Sequence, residues 1–177
     1  DYIDAAGRSG ITPEAAATLV RTNNTVIAAL AVRRGEADAM LCGVEGRYLS
    51  HLRRVREIIG LAPGMHEFAA LTLVITSRGA FFMTDTHVRP DPSAEELADI
   101  AALSAKHVER FGLKPKIAFL SHSNFGSYDS ASARKMRRAT ELLKAAHPQL
   151  EADGEMHSDM ALSQIARARV LPHTCLE

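Results

Sequence analysis

Four stretches of this 177-residue chain combine glycine with polar side chains in patterns that suit ligand chemistry. The first is Ser121-His122-Ser123-Asn124-Phe125-Gly126-Ser127. It follows an apolar run and precedes a basic segment carrying Arg134, Lys135, Arg137 and Arg138, which only Glu141 opposes within that segment. Hydroxyls, a glycine that lets the backbone come close and the positive end of a helix suit an anion such as phosphate or pyrophosphate. A polar loop followed by a solvated basic face fits the same residues. The second stretch is Asp153-Gly154-Glu155-Met156-His157-Ser158-Asp159. In an extended chain, alternation places Asp153, Glu155, His157 and Asp159 on one side. Carboxylates and imidazole there can hold a divalent cation or serve as acid and base. Acids that cap the next helix or pair with nearby arginines are the preferred alternative, so no metal site is assigned.

The third stretch, Cys42-Gly43-Val44-Glu45-Gly46-Arg47 followed by Arg53, reads as a strand end leading into a helix. It lacks the Gly-x-Gly-x-x-Gly spacing of a dinucleotide site, and a cysteine in a buried strand is ordinarily inert packing. The fourth is Arg21-Thr22-Asn23-Asn24-Thr25, where Asn23 and Asn24 cap or turn the chain between two helices or contact a ligand. Eight histidines are scattered without His-Glu-x-x-His spacing. Nucleophile-elbow and phosphate-loop motifs are absent from the sequence.

The elements that must position these residues follow from capping and periodicity. Thr12-Pro13-Glu14 starts a helix over 13–21, and a second helix spans 25–33 and stops at Gly35. The apolar run 37–42, between Gly35 and Gly43, predicts a buried strand. A helix over 48–59 sets Leu49, Leu52, Val55, Ile58 and Ile59 on one face, and Gly60 with Pro63-Gly64 ends it. Strands over 71–76 and 80–84 flank a Ser77-Arg78-Gly79 turn. Ser93-Ala94-Glu95-Glu96 is a capping box for a helix running to about 111 and ending at Gly112. Then come a strand over 116–120, a helix over 130–146, a short strand over 150–153 and a helix over 158–168. Strands alternating with helices predict an α/β fold whose largely parallel sheet is covered on both faces, with an antiparallel hairpin added.

Composition narrows the function classes. Lys plus Arg and Asp plus Glu are both 21, so the formal charge is zero, unlike the basic excess of a nucleic-acid or anionic-membrane binder. Apolar runs fall short of a bilayer span, and the first residues lack the pattern of a signal peptide. Cys42 and Cys175 lie far apart, which points to a reducing, cytoplasmic setting rather than a disulfide framework. The start without Met and the end at Leu171-Pro172-His173-Thr174-Cys175-Leu176-Glu177 suggest one domain, 1–177, cut from a longer polypeptide at both ends.

In order, these stretches resemble the phosphate acetyltransferase family, in particular the version fused to the C-terminus of bacterial NADP-dependent malic enzymes. The resemblance rests on Gly10-Ile11-Thr12-Pro13-Glu14-Ala15-Ala16, Arg21-Thr22-Asn23-Asn24-Thr25 and Gly35-Glu36-Ala37-Asp38-Ala39-Met40-Leu41-Cys42-Gly43. It continues through His51-Leu52-Arg53, Ile58-Ile59-Gly60, Pro63-Gly64, Asp85-Thr86, Asp91-Pro92-Ser93-Ala94-Glu95-Glu96, the 120–127 loop and Asp153-Gly154-Glu155-Met156-His157. It implies a three-layer α/β/α sandwich like that of the isocitrate and isopropylmalate dehydrogenases. It further implies a domain that binds acetyl-CoA, assembles as a homo-oligomer and regulates its own malic enzyme domain. NADP and a divalent Mg or Mn ion belong to that other domain, and this chain carries no cofactor of its own. Arg53 matches an arginine that active relatives use near the phosphate or acyl group. The expected acetyl-CoA or phosphate contacts are Arg53, Ser123, Asn124, Gly126, Ser127, Lys135 and Arg138, with Asn23, Asn24, Asp153 and Glu155 as further pocket residues.

Two departures bear on catalysis. Active acetyltransferases carry Ser-Thr-Lys-Gly-Ser where this chain has Ser123-Asn124-Phe125-Gly126-Ser127, so Phe125 replaces the lysine. Their Ser-Gly-Ala-Val-His segment is replaced by Cys42-Gly43-Val44-Glu45-Gly46, and Glu45 adds a negative charge. The family's later Ser-Arg-Gly catalytic segment lies beyond residue 177. Catalytic residues are therefore not assigned in this chain. A working acetyltransferase and a structural oligomerisation module with a vestigial pocket are the two alternatives.

Overall fold

The computed structural model describes residues 1–6, 10–63, 65, 68–77, 79–171 and 174–176. The chain forms two compact units, Asp1–Phe68 and Ala69–Glu177.

The first unit is helical. Its elements are α1 (Tyr2–Ala6), α2 (Pro13–Thr22), α3 (Asn24–Arg33) and α4 (Tyr48–Ile58). Thr12 caps α2 by accepting from the Ala15 amide, and Pro13 occupies the first turn, where no amide hydrogen is needed. Asn23 ends one helix and begins the next: its amide donates to the Leu19 carbonyl, and its side chain accepts from Val26 N. The apolar faces meet in a core of Tyr2, Ala16, Val26, Ala29, Leu30 and Ile58. Single helices among the described residues are not long and apolar enough to cross a membrane. α2 and α3 meet that test only as a pair bent by 97°, and α3 commits Val26, Ala29 and Leu30 to this core.

The strand expected over 37–42 does not form. The segment is irregular, with Leu41 fully exposed and Cys42 exposed rather than packed in a sheet. A strand needs a partner for its amides and carbonyls, and the described residues of this unit contain no other strand. Within the predicted stop of α4, Gly64 lies outside the described residues, whereas Gly60 follows the helix at φ +81°.

The second unit holds β1 (Thr72–Thr76), β2 (Gly79–Met83), α5 (Ala94–Glu109), β3 (Lys116–Leu120), α6 (Ala131–Ala146), β4 (Glu151–Met156), α7 (Ser158–Ala161) and α8 (Gln164–Val170). β1 and β2 form an antiparallel hairpin with Thr76 opposite Gly79; Arg78 of the expected turn lies outside the described residues. β3 and β4 pair in parallel, as the α6 crossover between them requires. Hairpin and parallel pair are separate two-stranded sheets rather than one mixed sheet. The capping box starts α5: Ser93 accepts from Glu96 N, and the Glu96 side chain accepts from Ser93 N. Ala94, Ala98 and Ala101 of α5 and Ala139 and Leu143 of α6 pack with Phe119 and Ala152 of the parallel pair. Alanine on both helices lets them lie close to the strands.

β4 extends three residues beyond the expected end at 153. The single helix expected over 158–168 is two helices, because Ser163 caps a new one by accepting from Ala166 N. Buried Arg167 reinforces the break, donating to the carbonyls of Met160, Ala161 and Leu176.

Candidate functional site

The loop after β3 is organised around Glu155, which lies on β4 with no exposed surface. Glu155 Oε1 accepts from Ser123 Oγ at 2.8 Å, from Gly126 N at 2.8 Å and from Arg137 Nη1 at 3.0 Å. The Glu155 carbonyl accepts from Phe125 N at 2.8 Å. Phe125 and Gly126 turn their amides toward this residue at φ +47° and +86°. Of the two amides only that of Gly126 reaches the carboxylate, beside the Ser123 hydroxyl and Arg137, while that of Phe125 meets the neutral main-chain carbonyl; the anion held at this loop is the chain's own carboxylate. Burial opposes the charge of Glu155. The Gly126 amide, the Ser123 hydroxyl and the Arg137 guanidinium outweigh burial and hold its pKa below the ordinary glutamate value.

The rest of the loop is tied in the same way. Ser123 Oγ also accepts from Tyr128 N at 3.0 Å, and Ser127 Oγ accepts from Asn124 N at 2.9 Å. Asn124 Oδ1 accepts from His157 N at 2.7 Å. The structure thus brings Ser123, Asn124, Gly126, Ser127 and Glu155 together. Ser123 is fully buried, Asn124 is half-buried, and Gly126 and Ser127 are exposed. On β4, Asp153 and Glu155 both reach α6, as alternation predicts. Asp153 accepts from Lys144 Nζ at 3.3 Å and from Thr174 Oγ1 at 2.8 Å. Lys144 lies two turns after Arg137 on α6 and shares its face. The side chains of His157 and Asp159 do not join this cluster, and Asp159 is exposed.

The basic face of α6 is more fully paired than its own sequence suggests. Lys135 pairs with Asp91, Arg138 with Glu141 at 3.2 Å, and Arg134 with Asp129 at 2.7 Å. Arg137 bridges Asp129 at 2.9 Å and Glu155. Arg137 was not among the expected contact residues; its position one heptad before Lys144 was the available signal.

In the first unit, α4 and the segment before it enclose a cavity of about 280 Å³, lined by Asn23, Thr25, Glu45, Gly46, Arg47, Ser50, His51 and Arg54. His51 clamps it: Nδ1 lies 2.7 Å from Thr25 Oγ1, and Nε2 lies 2.6 Å from the Glu45 carbonyl. Arg54 donates to Tyr2 Oη at 3.0 Å and to Glu57 at 2.7 Å. Asn23 lines this cavity, whereas Asn24 and Arg53 lie outside its lining and are exposed. His51 was missed as a candidate, and Thr25 and Arg47 fell within the fourth and third stretches without being singled out; a further cue was Arg47, Ser50, His51 and Arg54 recurring at helical spacing.

The phosphate acetyl/butaryl transferase family model matches residues 1–177. The chain is 56% identical over 176 residues to an NAD-dependent malic enzyme of Rhizobium meliloti (strain 1021), covering 99% of this chain and 23% of that protein. It is 44% identical over 177 residues to the NADP-dependent malic enzyme of Escherichia coli (strain K12), covering 100% of this chain and 23% of that protein. A crystal structure of a phosphotransacetylase from Streptococcus pyogenes aligns at a TM-score of 0.86 and 29% identity, over 99% of this chain and 53% of that one. The chain therefore spans about a quarter of the malic enzymes it matches (23%). Throughout its length, this chain belongs to the phosphate acetyl/butaryl transferase family.

Proposed function

We propose that this chain is the phosphate acetyltransferase-like C-terminal domain of a malic enzyme, and that it binds acetyl-CoA to regulate the malic enzyme active site within a homo-oligomer. The observation that carries this reading is the 56% identity over 99% of the chain to a protein of which it spans 23%. The whole polypeptide then oxidatively decarboxylates malate to pyruvate in the cytoplasm. NADP was expected from the sequence; the relatives' names include both NAD- and NADP-dependent enzymes, so the proposal extends to a nicotinamide dinucleotide of either kind. That cofactor and the divalent Mg or Mn ion belong to the part of the polypeptide outside this chain. Among the described residues, no group of three or more His, Cys, Asp or Glu is arranged to hold a metal ion. In the full domain, the β3–β4 pair joins a three-layer α/β/α sandwich of the isocitrate dehydrogenase kind.

Regulation is favoured over turnover by the state of the loop. Phe125 stands where active relatives carry lysine, and the Gly126 amide and Ser123 hydroxyl beside it are taken by Glu155. Asn124 and Ser127 remain the groups of the second unit proposed to meet the ligand, and Arg53 of the first unit is exposed. The likeness to a solved phosphotransacetylase favours the second reading, an active acetyltransferase. Titrating acetyl-CoA into the full-length protein by calorimetry, then adding phosphate and assaying acetyl phosphate, separates the two. Binding without acetyl phosphate supports regulation, sustained turnover supports the enzyme, and absence of binding leaves an oligomerisation module.

A further inference from the structure

We propose that the cavity between the β1–β2 hairpin and α5 is a binding site for a small, neutral aromatic molecule bearing one hydroxyl, which Ser104 recognises. None of the groups proposed to meet acetyl-CoA lines it. The sequence builds its two walls. Leu71 and Leu73 alternate along one extended segment and so share a face, and Phe82 stands opposite Leu73 across the hairpin. Ser104, His107 and Phe111 recur at intervals of three and four residues along α5 and the turn that follows it, so they form one stripe. The space between the walls measures about 320 Å³. That is near the lower end of ligand pockets, which run from about 300 to 1,000 Å³.

The lining selects the ligand's chemistry. The Phe82 and Phe111 rings lie 5.2 Å apart, tilted by 56°, and the His107 ring lines the same space. A further ring set against such a pair gains more than the area it buries. Among the described residues, no Asp, Glu, Lys or Arg lines the cavity, so a neutral ligand is favoured over an ionised one. Ser104 and His107 are the polar side chains of the lining. His107 Nδ1 lies 3.5 Å from Arg110 Nη1. Ser104 is only 9% exposed, and its hydroxyl has no hydrogen-bond partner among the described residues. A hydroxyl within a helix ordinarily donates to the carbonyl one turn back, as Thr140 does to Met136 at 2.9 Å. The Ser104 hydroxyl makes no such bond and is left to the cavity. A hydroxyl withdrawn from water and left unmatched is costly, and a ligand hydroxyl matches it as donor or as acceptor.

The test is ligand-detected NMR titration of the full-length protein with phenol and with toluene, two probes of nearly equal size that differ in a hydroxyl against a methyl group. The expected result is that Ser104→Ala weakens phenol about fivefold, as for the loss of one hydrogen bond, and leaves toluene unchanged. Ser104→Ala removes a group that holds nothing in the fold and places the best helix former within α5, so its melting temperature is expected to stay at or above that of the wild type. Ala69→Leu adds bulk to another part of the lining and is expected to weaken both probes. Phenol binding that is equal in the wild type and Ser104→Ala overturns the proposal, because the probe then sits elsewhere. Binding of toluene without phenol overturns the assignment of a hydroxyl-bearing ligand. Failure of both probes to bind the full-length protein overturns the site altogether.

Discussion

Ser123 Oγ donates to Glu155 Oε1 at 2.8 Å, and neither side chain reaches solvent. The contact joins the loop after β3 to β4, and Gly126 and Arg137 converge on the same oxygen. Glu155→Ala removes the acceptor for all three donors and is expected to cost about 3 to 5 kcal/mol, as for other broken buried charge pairs. Glu155→Gln keeps an acceptor oxygen and costs less. Denaturant unfolding, with hydrogen exchange of the 121–128 peptide in the full-length protein, measures both effects. Unchanged protection in Glu155→Ala contradicts this role.

The same carboxylate sets a pH dependence. Its folded pKa is lowered, so its stabilisation is fully present above the unfolded glutamate value of about 4.3 and is lost as pH falls through the folded value. Between pH 5 and 7 the contribution is flat. Asp91, Glu96 and Glu151 are also lowered, so the informative quantity is the wild type minus Glu155→Gln between pH 3 and 6. That difference should shrink as the solution is acidified; a constant difference contradicts the assignment.

Gly154 precedes Glu155 at φ +145°, where a Cβ would stand 2.7 Å from the Phe119 carbonyl oxygen. Gly154→Ala is expected to destabilise by roughly 2 to 4 kcal/mol through strain and overlap with β3. Gly112→Ala, at φ +74° with open space around it, carries only the left-handed cost of about 1 to 2 kcal/mol. Thermal unfolding of the two variants side by side tests the ranking.

Local signals were legible in the sequence and distant ones were not. The Ser93 and Glu96 capping box and the Thr12-Pro13 start depend on neighbours three residues away, so they were read correctly. The 37–42 segment was misread because a strand exists only with a partner, and an apolar run says nothing about one. The polar loop was identified as suited to an anion, but the anion is Glu155, about thirty residues on and across a parallel pair. Distance also hid two acids that pair with α6, Asp91 before the helix and Glu155 after it, whereas Asp129 lies just before the helix and its pairing with Arg134 and Arg137 was overlooked.

Arg137 and Arg138 are adjacent on α6 but differ in what they hold. Arg138 pairs with Glu141 in the open, and Arg138→Ala is expected to change stability by less than about 1 kcal/mol. Arg137→Ala leaves Glu155 buried without its cation and is expected to cost about 3 kcal/mol or more. Equal effects in chemical denaturation would show that Glu155 does not depend on Arg137.

Under the proposed function, this domain senses acetyl-CoA on behalf of another active site. Coupling of that kind is a free energy shared by two sites, so it must show in the distant reaction. The most direct measurement follows malate oxidation by the full-length protein during an acetyl-CoA titration, with phosphate present and acetyl phosphate assayed in parallel. The expected result is a saturable change in malate oxidation with no acetyl phosphate formed. Steady acetyl phosphate production, or a malate oxidation rate indifferent to acetyl-CoA, contradicts it.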